Sequence, residues 1–118
     1  MSEYRIYHNP RCSKSRQTLA LLEENGIQPE VVLYLETPPD EKQLADMIKK
    51  LGIGPRDLLR KGEDAYKSLN LKDPALSEQQ LLKAMAENPK LIERPVVIRA
   101  EQAVLGRPPE NVLTLIRG

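Results

Sequence analysis

The sequence predicts an α/β fold: a mixed sheet of about four strands, interrupted by a helical insertion. Three observations carry this prediction. A strand, a helix and a second strand follow one another before Pro38. Amphipathic helical patterns then fill residues roughly 40–88. Two short apolar strands with a tight connection and a final short helix complete the chain.

Arg5-Ile6-Tyr7 reads as a strand cut off by His8-Asn9-Pro10. From Ser15 the period becomes helical, with Leu19, Leu21 and Leu22 on one apolar face, and Gly26 stops the run. Val31 to Leu35 is a second strand, rich in β-branched residues, and a right-handed crossover makes it parallel to the first. Asp40 caps a helix that buries Leu44, Met47, Ile48 and Leu51 and ends at Gly52 and Gly54. Arg56 to Arg60 is a short helix leading into a loop at Gly62. Ser77 caps a further helix with Leu81, Leu82 and Met85 inward, ended by Glu87-Asn88-Pro89. Pro95 to Arg99 and Ala103 to Leu105 are strands joined by Ala100-Glu101-Gln102. Glu110 to Ile116 is a closing helix with Val112, Leu113 and Ile116 toward the core. This order is that of a thioredoxin-like fold: one domain over residues 1–118, with the insertion at roughly 40–88. In that architecture the bond before Pro95 is expected to be cis, beside the N-terminus of the first helix.

Composition narrows the chemistry. A chain of 118 residues with 40% hydrophobic residues can bury one core without staples. Its single cysteine forbids an internal disulfide and favours a reducing compartment. Met1 to Arg5 carry no signal-peptide apolar core, and no run of about 18 apolar residues exists, so a cytoplasmic protein with no membrane partner is expected. With 18 basic and 17 acidic residues there is no electrostatic case for nucleic acid, and four Tyr are poor material for stacking bases. One histidine and one cysteine predict no metal site.

Cys12 follows a strand and a Pro-containing turn and precedes a helix, so its sulfur lies near unpaired N–H groups. The helix end and the flanking Arg11, Lys14 and Arg16 favour the nucleophilic thiolate, and the same N–H groups can cradle an oxyanion. The alternative is a small buried hydrophobe, against which stand the polar neighbours Asn9, Arg11, Ser13 and Lys14. His8 is either a solvated strand-end residue or a neighbour that helps ionise Cys12. Ser15 either caps the helix or hydrogen-bonds the thiolate. Arg60, Arg94 and Arg107 taken singly read as surface groups, yet Arg94 precedes Pro95 and Arg107 precedes Pro108-Pro109, and a guanidinium fork suits a tetrahedral oxyanion.

Five segments in order carry a resemblance. They are Ile6-Tyr7-His8-Asn9-Pro10-x-Cys12-x-x-Ser15-Arg16-x-Thr18-Leu19, Tyr34-Leu35-Glu36-Thr37-Pro38-Pro39, Leu58-Leu59-Arg60-Lys61, Arg94-Pro95-Val96-Val97 and Gly106-Arg107-Pro108. With these the chain resembles the glutaredoxin-dependent arsenate reductase family, nearly end to end. The resemblance implies an arsenate reductase in which Cys12 is the nucleophile, Arg60, Arg94 and Arg107 bind the oxyanion, and His8 and Ser15 keep the cysteine ionised. It implies no bound cofactor, with glutathione as co-substrate and glutaredoxin as protein partner. Ser13-Lys14 stand where well-studied members carry Gly-Thr, a form closer to a less characterised branch.

Two other classes share parts of this pattern. Monothiol glutaredoxins use Cys-x-x-Ser but typically carry Thr-Val before the cis proline, where this chain has Glu93-Arg94. Spx-like transcription regulators often carry a Cys-x-x-Cys switch, which Ser15 removes. The Cys-x5-Arg loop of phosphatase-like arsenate reductases is absent, since Thr18 holds the sixth position after Cys12.

Overall fold

The computed structural model describes residues 3–117. They form a four-stranded mixed sheet in the order β2-β1-β3-β4 and a helical segment inserted between β2 and β3. Strand β1 (Tyr4–His8) is central, parallel to β2 (Glu30–Leu33) and antiparallel to β3 (Val96–Arg99), which pairs antiparallel with β4 (Gln102–Leu105). A strand covered on both sides loses the in–out alternation, and β1 accordingly buries Tyr4, Ile6, Tyr7 and His8. His8 therefore does not end the strand from outside. It is the last paired residue, opposite Leu33.

Helix α1 (Ser13–Glu24) starts two residues earlier than the apolar period suggests, because its first turn buries Ser15 rather than a hydrophobe. Its inner stripe is Ser15, Thr18 and Leu22, so the site end of the helix is polar and only its far end is apolar. Leu22 joins Tyr4, Ile6, Val97, Val112 and Leu115 in the core of the sheet unit, with Leu19, Leu21, Val104 and Ile116 packed against it. The closing segment is a 3₁₀ turn (Pro109–Val112) running into α5 (Leu113–Arg117), and it buries Pro109, Val112 and Leu115, with Leu113 and Ile116 only partly covered. The β3–β4 turn is tighter than expected. Gln102 already pairs with Arg99, leaving two turn residues, of which Ala100 takes a positive φ of 53°.

The segment Pro38–Glu93 forms its own compact unit. In it α2 (Glu41–Leu51) packs against α4 (Glu78–Glu87) through Leu44, Met47, Ile48, Leu81, Leu82 and Met85. Both helices open on capping boxes. Asp40 accepts the Gln43 amide at 2.7 Å and Ser77 accepts the Gln80 amide at 3.2 Å. Gly52 closes α2 at φ 71°, a conformation glycine reaches without strain. Between the two helices lie a 3₁₀ turn (Pro55–Leu58), where the sequence predicts a short helix over Arg56 to Arg60, and α3 (Asp64–Ser68), where it predicts only a loop. No helix among the described residues is long and apolar enough to cross a membrane.

Candidate active site

Cys12 is the N-cap residue of α1, with φ −94° and ψ 122°. Its carbonyl accepts the first intrahelical bond from Arg16 N–H at 3.0 Å, and its own N–H donates to Asn9 O at 3.0 Å. The position usually holds Ser, Thr, Asp or Asn, whose oxygen satisfies the N2 or N3 amide. Here a sulfur takes that place. Burial pushes the thiol pKa up, but the amides of Ser15 and Lys14 and the positive charges of Arg94 and Arg107 outweigh it and bring the thiol below its ordinary range. The first turn carries no acidic residue to oppose them.

The cations that act on the sulfur differ from those adjacent in sequence. Arg107 Nη1 lies 3.9 Å from Cys12 Sγ and donates to Arg94 O at 3.3 Å. Arg16 instead donates to Pro10 O at 2.9 Å, and its charge falls on His8. Lys14 contributes through its backbone amide. Arg94 and Arg107 each precede a cis proline, Pro95 and Pro108, so the cis bond expected at Pro95 is present and a second accompanies it.

His8 and Ser15 form a buried pair beneath this loop, with Nδ1 and Oγ 2.6 Å apart. Ser15 Oγ also accepts the Asn9 amide at 3.0 Å. Ser15 is thus not the helix cap. Its side chain ties the end of β1 to the first turn of α1, while its amide serves the sulfur. Burial, aided by Arg16, lowers the His8 pKa, so the imidazole is neutral near pH 7 and meets Ser15 as a neutral partner.

Arg60 belongs to the helical unit. It pairs there with Glu63 at 3.0 Å and Glu93 at 3.8 Å, and its N–H donates to Leu91 O at 2.7 Å. Among the described residues no group of three or more His, Cys, Asp or Glu side chains could hold a metal ion.

Thr18 and Gly106 were not singled out by sequence reasoning, although both lie within the motif segments. Thr18 is fully buried, and its hydroxyl sits between Lys14 O at 2.8 Å and Gly106 O at 3.3 Å. The available signal was a second polar residue, three positions after Ser15, on the inner face of α1.

A lone thiol on a helix N-cap, lowered by two arginines that each precede a cis proline, on a β2-β1-β3-β4 mixed sheet, defines a thioredoxin-like thiol enzyme. Within that class the chain belongs to the ArsC family, whose model matches residues 7–115. It is 58% identical over 115 residues to the uncharacterized protein YfgD of Escherichia coli, a match covering 97% of each chain. It is 51% identical over 113 residues to the arsenate reductase of Neisseria meningitidis serogroup B, covering 95% of this chain and 97% of that one. Among solved structures, the arsenate reductase from Vibrio cholerae superposes with a TM-score of 0.92 at 54% identity, covering 94% and 95% of the two chains.

Proposed function

We propose that this chain reduces arsenate by nucleophilic attack of the Cys12 thiolate, with glutathione and glutaredoxin supplying the electrons. The observation that carries the reading is the sulfur of Cys12 lying 3.9 Å from the Arg107 guanidinium, with Arg94 and two helix amides also favouring its negative charge. Groups that stabilise a thiolate also attract an oxyanion to it, so nucleophile and substrate are drawn to one place. Membership of the ArsC family and the arsenate reductases among its relatives supply the choice of arsenate.

The thiolate attacks arsenic(V), a sulfur–arsenic bond forms, and one oxygen leaves as water after protonation. Glutathione thiolate then attacks the Cys12 sulfur. The sulfur–arsenic electron pair passes to arsenic, arsenite leaves as arsenic(III), and a Cys12–glutathione disulfide remains. Glutaredoxin attacks the glutathione sulfur of that disulfide and returns the Cys12 thiolate. Two thiols outside the chain supply the two electrons. No second cysteine is needed, and a reducing cytoplasm holds the donors.

His8 and Ser15 act in this reading by holding the loop from Asn9 to Cys12 against the first turn of α1. Arg94 and Arg107 hold the oxyanion, with Arg60 as the third arginine of the family pattern. The test is arsenite formation from arsenate with glutathione and glutaredoxin. Wild type turns over and Cys12→Ser falls to background. Arsenate, phosphate or sulfite titrated into Cys12→Ser binds more weakly when Arg94, Arg107 or Arg60 is changed to Ala, by roughly tenfold or more for each lost charge-assisted contact. Turnover by Cys12→Ser overturns the nucleophile assignment, and an unchanged affinity in any one Arg→Ala variant removes that arginine from the anion site.

A further inference from the structure

The guanidinium of Arg107 belongs to an exposed residue on the exit of β4, and the backbone there is held by two side chains that the reaction itself does not use. On the inner side, Thr18 places its hydroxyl between the carbonyls of Lys14 and Gly106. The approach is possible only because residue 106 has no side chain. A Cβ there would strike Thr18 Oγ1 and come within 2.9 Å of Thr18 Cγ2 and 2.8 Å of Pro95 Cγ. Gly106 N–H also donates to Pro95 O at 2.9 Å, which binds the exit of β4 to the residue after Arg94. On the outer side, Asn111 Nδ2 donates to Leu105 O at 3.1 Å and Arg107 O at 3.3 Å, bracketing Gly106. Three successive carbonyls, of Leu105, Gly106 and Arg107, are thus each engaged by a side chain from elsewhere.

We propose that Thr18 and Asn111 are positioning residues that clamp the Leu105–Gly106–Arg107 backbone so that the Arg107 guanidinium reaches the Cys12 sulfur. Thr18 lies on the helix that begins at Cys12, so the clamp references Arg107 to the same rigid element that carries the nucleophile. Replacing the hydroxyl by a methyl removes the donor facing the buried Gly106 carbonyl and pushes that carbonyl outward. The guanidinium moves with it, and the sulfur loses part of the charge that favours its thiolate.

The proposal rests on the reading of Cys12 as an ionised thiol, which the wild-type profile checks separately and without arsenate. The experiment is the pH profile of Cys12 alkylation by iodoacetamide, with ultraviolet thiolate absorbance as a second readout. Both are measured on wild type, Arg107→Ala, Thr18→Val, Thr18→Ser and the double variant Thr18→Val/Arg107→Ala, each shown to be folded by its thermal transition. Thr18→Val is expected to move the midpoint upward, in the same direction as Arg107→Ala. Thr18→Ser, which keeps the hydroxyl, returns it toward wild type. In the Arg107→Ala background Thr18→Val adds nothing, because the group it positions is gone. A wild-type profile for Thr18→Val overturns the proposal, and so does an upward shift that adds in full to that of Arg107→Ala. If Thr18→Val does not fold, Asn111→Ala at its exposed position carries the same two criteria.

Discussion

His8 illustrates how a single side chain reports on its surroundings. It is the only histidine of the chain, it is buried, and its ring lies 2.6 Å from the Ser15 hydroxyl. Burial, with Arg16 adding to it, lowers its pKa from 6.5 in the folded state. Below pH 6.5 the unfolded chain therefore takes up a proton that the folded chain refuses, and linkage favours unfolding. The stability contributed by neutral His8 is fully present above pH 6.5 and is lost as pH falls toward the lower folded value. Urea unfolding between about pH 7.5 and pH 5 is expected to show stability declining in wild type, with that component missing from His8→Asn. Equal pH slopes in the two proteins would show that His8 is not held neutral by the fold. At this scale Cys12, His8 and Ser15 were legible in the sequence as neighbours, but their pairing was not. Local spacing put Arg11, Lys14 and Arg16 beside the thiol, whereas the charges that lower it come from Arg94 and Arg107. Those residues reach Cys12 only when β3 and β4 are paired beside β1, a long-range fact that no local pattern encodes.

Elements whose apolar period and caps agree were readable from sequence, and elements without such a period were not. Helices α2 and α4 have both signals, and their caps at Asp40 and Ser77 lie where the sequence puts them. Helix α3 buries none of its residues, so Asp64–Ser68 offered no stripe to read. Helix α1 stands between these cases. Leu22 and its neighbours announced its far end, but its first turn was obscured by the polar inner residues Ser15 and Thr18. The same turn shows what the site costs the element. The N2 and N3 amides, of Lys14 and Ser15, favour the thiolate, but no side-chain cap bond closes at Cys12, where an N-cap oxygen would close one. Cys12→Ser supplies the missing oxygen while deleting the nucleophile. It is expected to stabilise the protein by about 1 kcal/mol, raising Tm by roughly 3–5 °C, while abolishing arsenate turnover. Calorimetry of the two proteins decides the matter. A Tm for Cys12→Ser at or below that of wild type would mean that the thiol already serves the helix end as well as a hydroxyl can.

For the molecule as a whole, the count of cysteines sets the logic of electron flow. One thiol can form one bond to an oxyanion or one disulfide, so a two-electron reduction cannot be completed within a monomer of this chain. In the proposed cycle the sulfur–arsenic bond leaves arsenic in the +5 state, and reduction follows only when a thiol from outside the chain attacks the Cys12 sulfur. The thioredoxin-like sheet serves this arrangement by placing Cys12 at the end of its central strand β1, on the rim where α1 begins, with 9% of its surface open. Arg94 and Arg107 act on the sulfur at the same rim, so the anionic thiol donor of the proposed cycle would meet positive charge there. Two outcomes are expected together. Incubation with glutathione disulfide yields a single glutathione adduct by intact mass spectrometry, located at Cys12 by peptide mapping and absent from Cys12→Ser. Arsenate reduction without added thiol stops before one arsenite is formed per chain, and resumes in proportion to glutathione and glutaredoxin supplied. Sustained arsenite production by the isolated protein with no external thiol would contradict the one-cysteine cycle, since no group in the chain could then account for the electrons.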